Sequence, residues 1–208
     1  MPTVFLLSPA SCSGTRAKML LNSRTSPLTA RLANGGAPLG EVFTFMSSLY
    51  FRGKLTYANA FGTPPAGWSG TLVITPGRGL VPAEVSILVA DLEQMALVPV
   101  DEDEPRFREP LVRDAAALAS ALGPEGRAVL LGSVASEKYV TPLLEVFGDR
   151  LLFPSTFVGR GDMSRGGLLL RCAQSGTQLD CVPVRGAVRH GPRPPRLGPL
   201  PRVNARSE

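Results

Sequence analysis

The chain has 208 residues, a formal net charge of +5 and 44% hydrophobic residues, enough to bury a sizeable core in one domain. Three cysteines without a CxxC pair and a single histidine argue against a zinc centre or a disulfide framework. No apolar run approaches the roughly 20 residues of a membrane span, so a soluble, cytoplasmic protein is expected.

The basic excess is concentrated at one end. Arg185 to Arg206 carries six arginines and His190 with no acid. The rest of the chain is close to neutral, so net charge does not mark it as a polyanion-binding surface.

Thr3 to Leu7 (TVFLL) reads as a buried parallel strand. It enters a polar turn, SPASCSG, holding Ser8, Cys12 and Ser13, and a helix starting near Thr15 follows. A strand that turns into a helix N-terminus presents free backbone N–H groups to an anion, although the spacing matches neither a Walker A loop nor GxGxxG. Pro27 suits the first position of a further helix, and Asn34-Gly35-Gly36 ends it. Leu39 to Phe51 repeats apolar residues at helical spacing. A break is expected at Gly53, with Leu55 to Phe61 continuing; Arg52 and Lys54 beside it read as a solvated face or, alternatively, as phosphate contacts.

Thr71 to Thr75 (TLVIT) is a second strand, leading into a Pro-Gly-Arg-Gly turn that carries Arg78. Glu84 to Ala90 reads as a third strand and Leu97 to Val100 as a short edge piece. The acidic run Asp101 to Glu104 has the character of an exposed loop, and no metal is assigned to it. Pro110 to Leu122 is helical, Ala128 to Leu131 is a strand, and Glu137 to Phe147 is a helix with Ser136 as N-cap and Pro142 inside. Arg150 to Phe153 is the next strand. Gly167 to Cys172 and Leu179 to Val184 are expected to pair as a hairpin through a QSGT turn, bringing Cys172 and Cys181 face to face. Beyond Arg185 the Pro/Arg composition predicts a flexible tail.

The loops after the later strands hold the chemistry. GSVASEK offers Ser133 at a helix N-terminus. GRGDMSRGG, Gly159 to Gly167, offers glycines for close backbone approach, Arg160 and Arg165 as guanidinium forks for phosphate, and Asp162 as base or partner. In open α/β sheets such loops, on the carboxyl side of the strands, are where ligands bind.

The sequence from LGSVASEK (Leu131 to Lys138) through the helix and strand to FPS (Phe153 to Ser155) resembles the C-terminal third of the uracil-DNA glycosylase superfamily over about 40 residues. The resemblance implies a three-layer α/β/α fold and a nucleobase, nucleotide or nucleic acid as partner. Phe153 stands where that family carries its catalytic histidine, and SPASCSG stands in place of its water-activating loop.

The expectation is therefore an α/β domain over residues 1–184, three-layered around a largely parallel sheet, with a C-terminal β-hairpin and a disordered tail over 185–208. Ser8, Ser13, Arg78, Ser133, Ser155, Arg160 and Arg165 would hold the ligand. Asp162 would be the base or cation stabiliser, with Cys12 as an alternative nucleophile. No cofactor and no membrane are implied. The alternative is a non-catalytic module that engages a protein partner through the Arg/Pro tail.

Overall fold

A computed structural model describes residues 1–22, 26–195 and 197–198. Its central sheet has six strands: β1 (Thr3–Leu7), β3 (Thr71–Thr75), β4 (Gly79–Pro82), β6 (Arg127–Leu131), β7 (Leu151–Pro154) and β8 (Cys181–Pro183). They lie in the order β4-β3-β1-β6-β7-β8. The inner four are parallel, with β1 at the centre pairing Val4 with Ala128 and Leu6 with Leu72. The two edges, β4 and β8, are antiparallel to their neighbours. β1 and β6 are buried on both faces, as their continuous apolar runs require.

Helices cover both faces, giving the expected three-layer α/β/α arrangement. α1 (Thr15–Asn22) and α7 (Asp162–Ser175) pack on the long α3 (Leu39–Phe61), which lies over β1 and β3. α5 (Pro105–Leu122) and α6 (Glu137–Phe147) pack together over β3, β4 and β7. Two short helices, α2 (Pro27–Asn34) and α4 (Val89–Ala96), and the two-residue ladder of β2 (Ala37–Pro38) with β5 (Ser86–Ile87) complete the elements. Ser26 caps α2 by accepting from the Thr29 amide, with Pro27 behind it. No helix among the described residues is long and apolar enough to cross a membrane.

Four sequence expectations are corrected. The C-terminal hairpin is absent: Gly167 to Cys172 lies within α7, and only Cys181–Pro183 is a strand, paired with β7 across the intervening helix. Alternation in GLLLRC is weak, and the apolar residues also fit one helical face, of which Leu169 is fully buried. Cys172 and Cys181 therefore sit on different elements, both as free thiols. Glu84 to Ala90 contributes only the two residues of β5, and the chain enters α4 at Val89. Leu97 to Val100 forms no strand.

The fourth correction concerns α3. It runs straight past Gly53, and its interruption lies at Ser48, whose φ of 52° and ψ of −127° are non-helical. Gly53 is instead a contact point between helices. A Cβ there would lie 2.5 Å from the Gly166 carbonyl oxygen, and a Cβ on Gly166 would lie 2.7 Å from the Leu49 carbonyl oxygen. α3 and α7 thus cross backbone to backbone, which only glycine permits.

Over 185–195 the chain has neither helix nor strand, yet it is tied down. Arg189 donates to both carboxylate oxygens of Glu137, at 3.1 and 2.5 Å, and to the Val134 carbonyl. Gly159, at φ 71°, packs so closely under Pro192 that a side chain would collide with the Pro192 carbonyl. Arg196, Arg202 and Arg206, with the end of the expected tail, lie outside the described residues.

Candidate functional site

The carboxyl ends of β1, β3 and β6 open into a cavity of about 660 Å³. Ser8, at the end of β1, Pro76, after β3, and Ser133, after β6, form part of its wall. Gly132 lets β6 end this close to Ser8, since a Cβ on it would lie 2.9 Å from that of Ser8. Three helices begin at the same cavity: Ser13 precedes α1, Lys138 is in the first turn of α6, and Asp162 opens α7. Their N-terminal N–H groups and dipoles favour negative charge.

α3 supplies the floor. Beyond the bend at Ser48, the buried stripe Tyr50, Lys54 and Tyr57 faces inward at i, i+4, i+7 spacing. Lys54 is only 1% exposed. Its Nζ donates to the Ser8 carbonyl at 2.6 Å and lies 2.9 Å from the Ser8 hydroxyl. The same Nζ lies 4.5 Å from the centre of the Tyr50 ring and 4.8 Å from that of Phe51. Among the described residues no carboxylate pairs with it directly. Burial therefore dominates and pulls its pKa down to about 7; Asp162 opposes the shift and Arg165 adds to it.

Tyr50 is the second unusual group. Among the described residues its buried hydroxyl makes no well-formed hydrogen bond, although Arg165 lies close enough to act on it; such a shortfall costs free energy unless a ligand or solvent makes it good. Burial raises its pKa, with Asp162 adding to the rise and Arg165 opposing it. Tyr139, which also lines the cavity, is raised chiefly by burial as well, so both phenols stay protonated at neutral pH.

The structure gathers some of the expected site residues and disperses others. Ser8, Cys12, Ser13, Ser133 and Asp162 all line the cavity. Cys12, however, is buried and its Sγ lies 3.7 Å from the Ala10 carbonyl; burial pushes its thiol up to about 12, so it carries no thiolate at neutral pH. Arg165 is 7% exposed and turned away from phosphate duty. It donates through Nε and Nη2 to the Phe157 carbonyl, at 3.3 and 3.0 Å, and stacks against the Phe157 ring. Its link to Asp162 is an ion pair at 3.6 Å.

Arg160 donates to the Thr156 carbonyl and the Ser164 hydroxyl on the far side of the α7 start. There it lines a separate groove with Arg171 and Arg193. Arg78 pairs with Asp91 at 2.6 Å and lines another groove. Ser155 donates to the Asp180 carbonyl beside β8. Phe153 is buried in β7.

Lys54, expected on a solvated face or as a phosphate contact, is instead buried against Ser8, and Tyr50 and Tyr139 were not among the expected site residues. The signal for Lys54 was its place four residues after Tyr50 and three before Tyr57, on the apolar stripe of α3. No family model matches this chain, and neither the curated proteins nor the solved structures contain a match.

Proposed function

We propose that the cavity binds a nucleotide or a nucleobase-bearing ligand of similar size. The observation that carries this reading is the pairing of two buried polar groups on its floor. Among the described residues the Tyr50 hydroxyl makes no well-formed hydrogen bond, and Lys54 Nζ hydrogen-bonds to Ser8 alone. A closed-off core would replace both by apolar side chains, because unpartnered buried polar groups are destabilising.

The remaining walls suit the parts of such a ligand. A volume of about 660 Å³ lies in the ordinary range for small-molecule sites. The starts of α1 and α6, with Lys138, favour a phosphate. Asp162, at the start of α7, is an acceptor for ribose hydroxyls or base N–H groups. The resemblance of the Leu131 to Ser155 stretch to the uracil-DNA glycosylase superfamily points to the same ligand class. The groove of Arg160, Arg171 and Arg193 on the other side of α7 offers a backbone track if the base belongs to a polymer.

Calorimetric titration with nucleosides, 5′-mononucleotides and single- and double-stranded oligonucleotides tests the reading. Saturable binding by a mononucleotide, weakened at least about tenfold in Tyr50→Phe or Lys54→Met, is the expected result; tenfold corresponds to about 1.4 kcal/mol. Binding that needs the polymer and falls in Arg160→Ala/Arg171→Ala would assign the ligand to a nucleic acid. No binding of any of these by the wild type would overturn the proposal.

A further inference from the structure

The contact between Ser8 and Lys54 has a chemical meaning beyond ligand binding. Lys54 Nζ is held in place by the Ser8 carbonyl at 2.6 Å and by the aromatic faces of Tyr50 and Phe51, and it sits 2.9 Å from Ser8 Oγ. A neutral amine in that position has a lone pair to accept the Ser8 hydroxyl proton. Ser8, 6% exposed, lines the cavity directly after the carboxyl end of β1. The start of α1 follows seven residues later along the same cavity, and free N–H groups at such a start stabilise a developing oxyanion.

We propose that Ser8 and Lys54 form a nucleophile–base dyad that removes an acyl group from an ester carried by the bound ligand. It rests on the cavity being the ligand site. In the first step Ser8 Oγ attacks the acyl carbon as its proton passes to Lys54 Nζ. The tetrahedral intermediate then expels the alcohol oxygen, which takes that proton back from the lysine. Acyl-Ser8 remains. A water molecule, giving its proton to Lys54, attacks the acyl carbon; the carboxylic acid departs and the proton returns to Ser8 Oγ. No oxidant, metal or cofactor enters the balance.

The charged and titratable groups facing Lys54 are few. From α3 there is Tyr50, and from α7 Asp162 and Arg165, which act on it in opposite directions. Cys12, Lys138 and Tyr139 share the cavity wall. None supplies a competing base at the Ser8 hydroxyl. A lysine that loses its proton near neutrality makes the acylation rate rise with pH through about 7 and level off above it.

p-Nitrophenyl acetate is the probe. The expected result is a burst of p-nitrophenolate of about one equivalent per chain, with peptide mass spectrometry placing the acetyl group on Ser8. Ser8→Ala and Lys54→Met abolish the burst. Lys54→Arg, which keeps a donor for the Ser8 carbonyl but cannot act as a base, abolishes it too, even if the methionine variant fails to fold. An acetyl group on Lys54 itself, on another serine, or on no residue overturns the dyad. So does a Ser8 burst that persists in folded Lys54→Arg.

Protection by a saturating 5′-mononucleotide separates this proposal from the reading it rests on. Slower acetylation of Ser8 supports both. Acetylation that ignores the nucleotide, in a burst that still requires Lys54, supports the dyad and removes the nucleotide as its ligand.

Discussion

Two helical stretches cross at Gly53 and Gly166, and their roles are the reverse of their appearance in the sequence. Gly159 to Gly167 is dense in glycine, arginine and aspartate, the composition of a ligand loop. In the structure Gly166 and Gly159 make close backbone approaches, to α3 and to the chain at Pro192, and the buried Arg165 holds the Phe157 carbonyl. The second half of α3 looks like an ordinary packed helix with a polar residue or two. It contributes the buried lysine and the buried tyrosine of the cavity floor. Composition identifies residues capable of chemistry, and burial decides which of them are used for it.

That contrast can be broken by substitution. The largest effect is expected at the crossing. Gly53→Ala places a methyl group 2.5 Å from the Gly166 carbonyl oxygen, so α3 and α7 must separate at a cost of about 1–3 kcal/mol. For a chain of this size that lowers Tm by about 2–4 °C per kcal/mol, as differential scanning calorimetry would show. Next comes Arg165→Met, which removes two of the donors to the Phe157 carbonyl and leaves it the Arg160 amide, at a cost of about 1–2 kcal/mol in urea unfolding. Both variants are read out as stability, because Gly53 adjoins Lys54 and Arg165 pairs with Asp162 in the cavity wall.

Lys54 has a folded pKa near 7 against an ordinary value of 10.5, so between those values the unfolded chain binds more protons. Stability must then rise with pH, by at most about 1.4 kcal/mol per unit. The window from pH 7 to 9 is the cleanest, because Cys12 retains its proton in the folded chain up to about 12 and reverses the trend above its ordinary pKa. Urea unfolding at pH 7, 8 and 9 should show this slope in wild type and lose it in Lys54→Met. The smallest effect on stability is at Tyr50→Phe. Removing a buried hydroxyl that makes no well-formed hydrogen bond among the described residues leaves stability within about 0.5 kcal/mol or raises it slightly, while ligand affinity falls.

Much of the fold was legible because its signals are local. Continuous apolar runs at Thr3 to Leu7, Thr71 to Thr75 and Ala128 to Leu131 can only be buried strands, and each became an inner strand of the sheet. The failures lie where local patterns are ambiguous. GLLLRC fits a strand or one face of a helix, and the helix won because Gly166 must lie against α3. For the site, the turn after β1 and the Ser133 loop were legible from the rule that ligands bind at strand ends. Arg78 and Ser155 also follow strands, but Arg78 is held by Asp91 and Ser155 by the Asp180 carbonyl, partners far away in sequence. Lys54 was hidden for the same reason, since Ser8 is 46 residues from it.

The most direct test of the account is the protonation state of Lys54. Lysines labelled with ¹³C at the ε position can be followed by NMR as pH rises from 5 to 10. The account predicts one resonance that moves with a midpoint near pH 7 and is missing from Lys54→Met. If the signal assigned to Lys54 stays at its ammonium position through pH 9, the amine is charged at neutrality. That result would contradict both a neutral base beside Ser8 and a cavity floor tuned by burial.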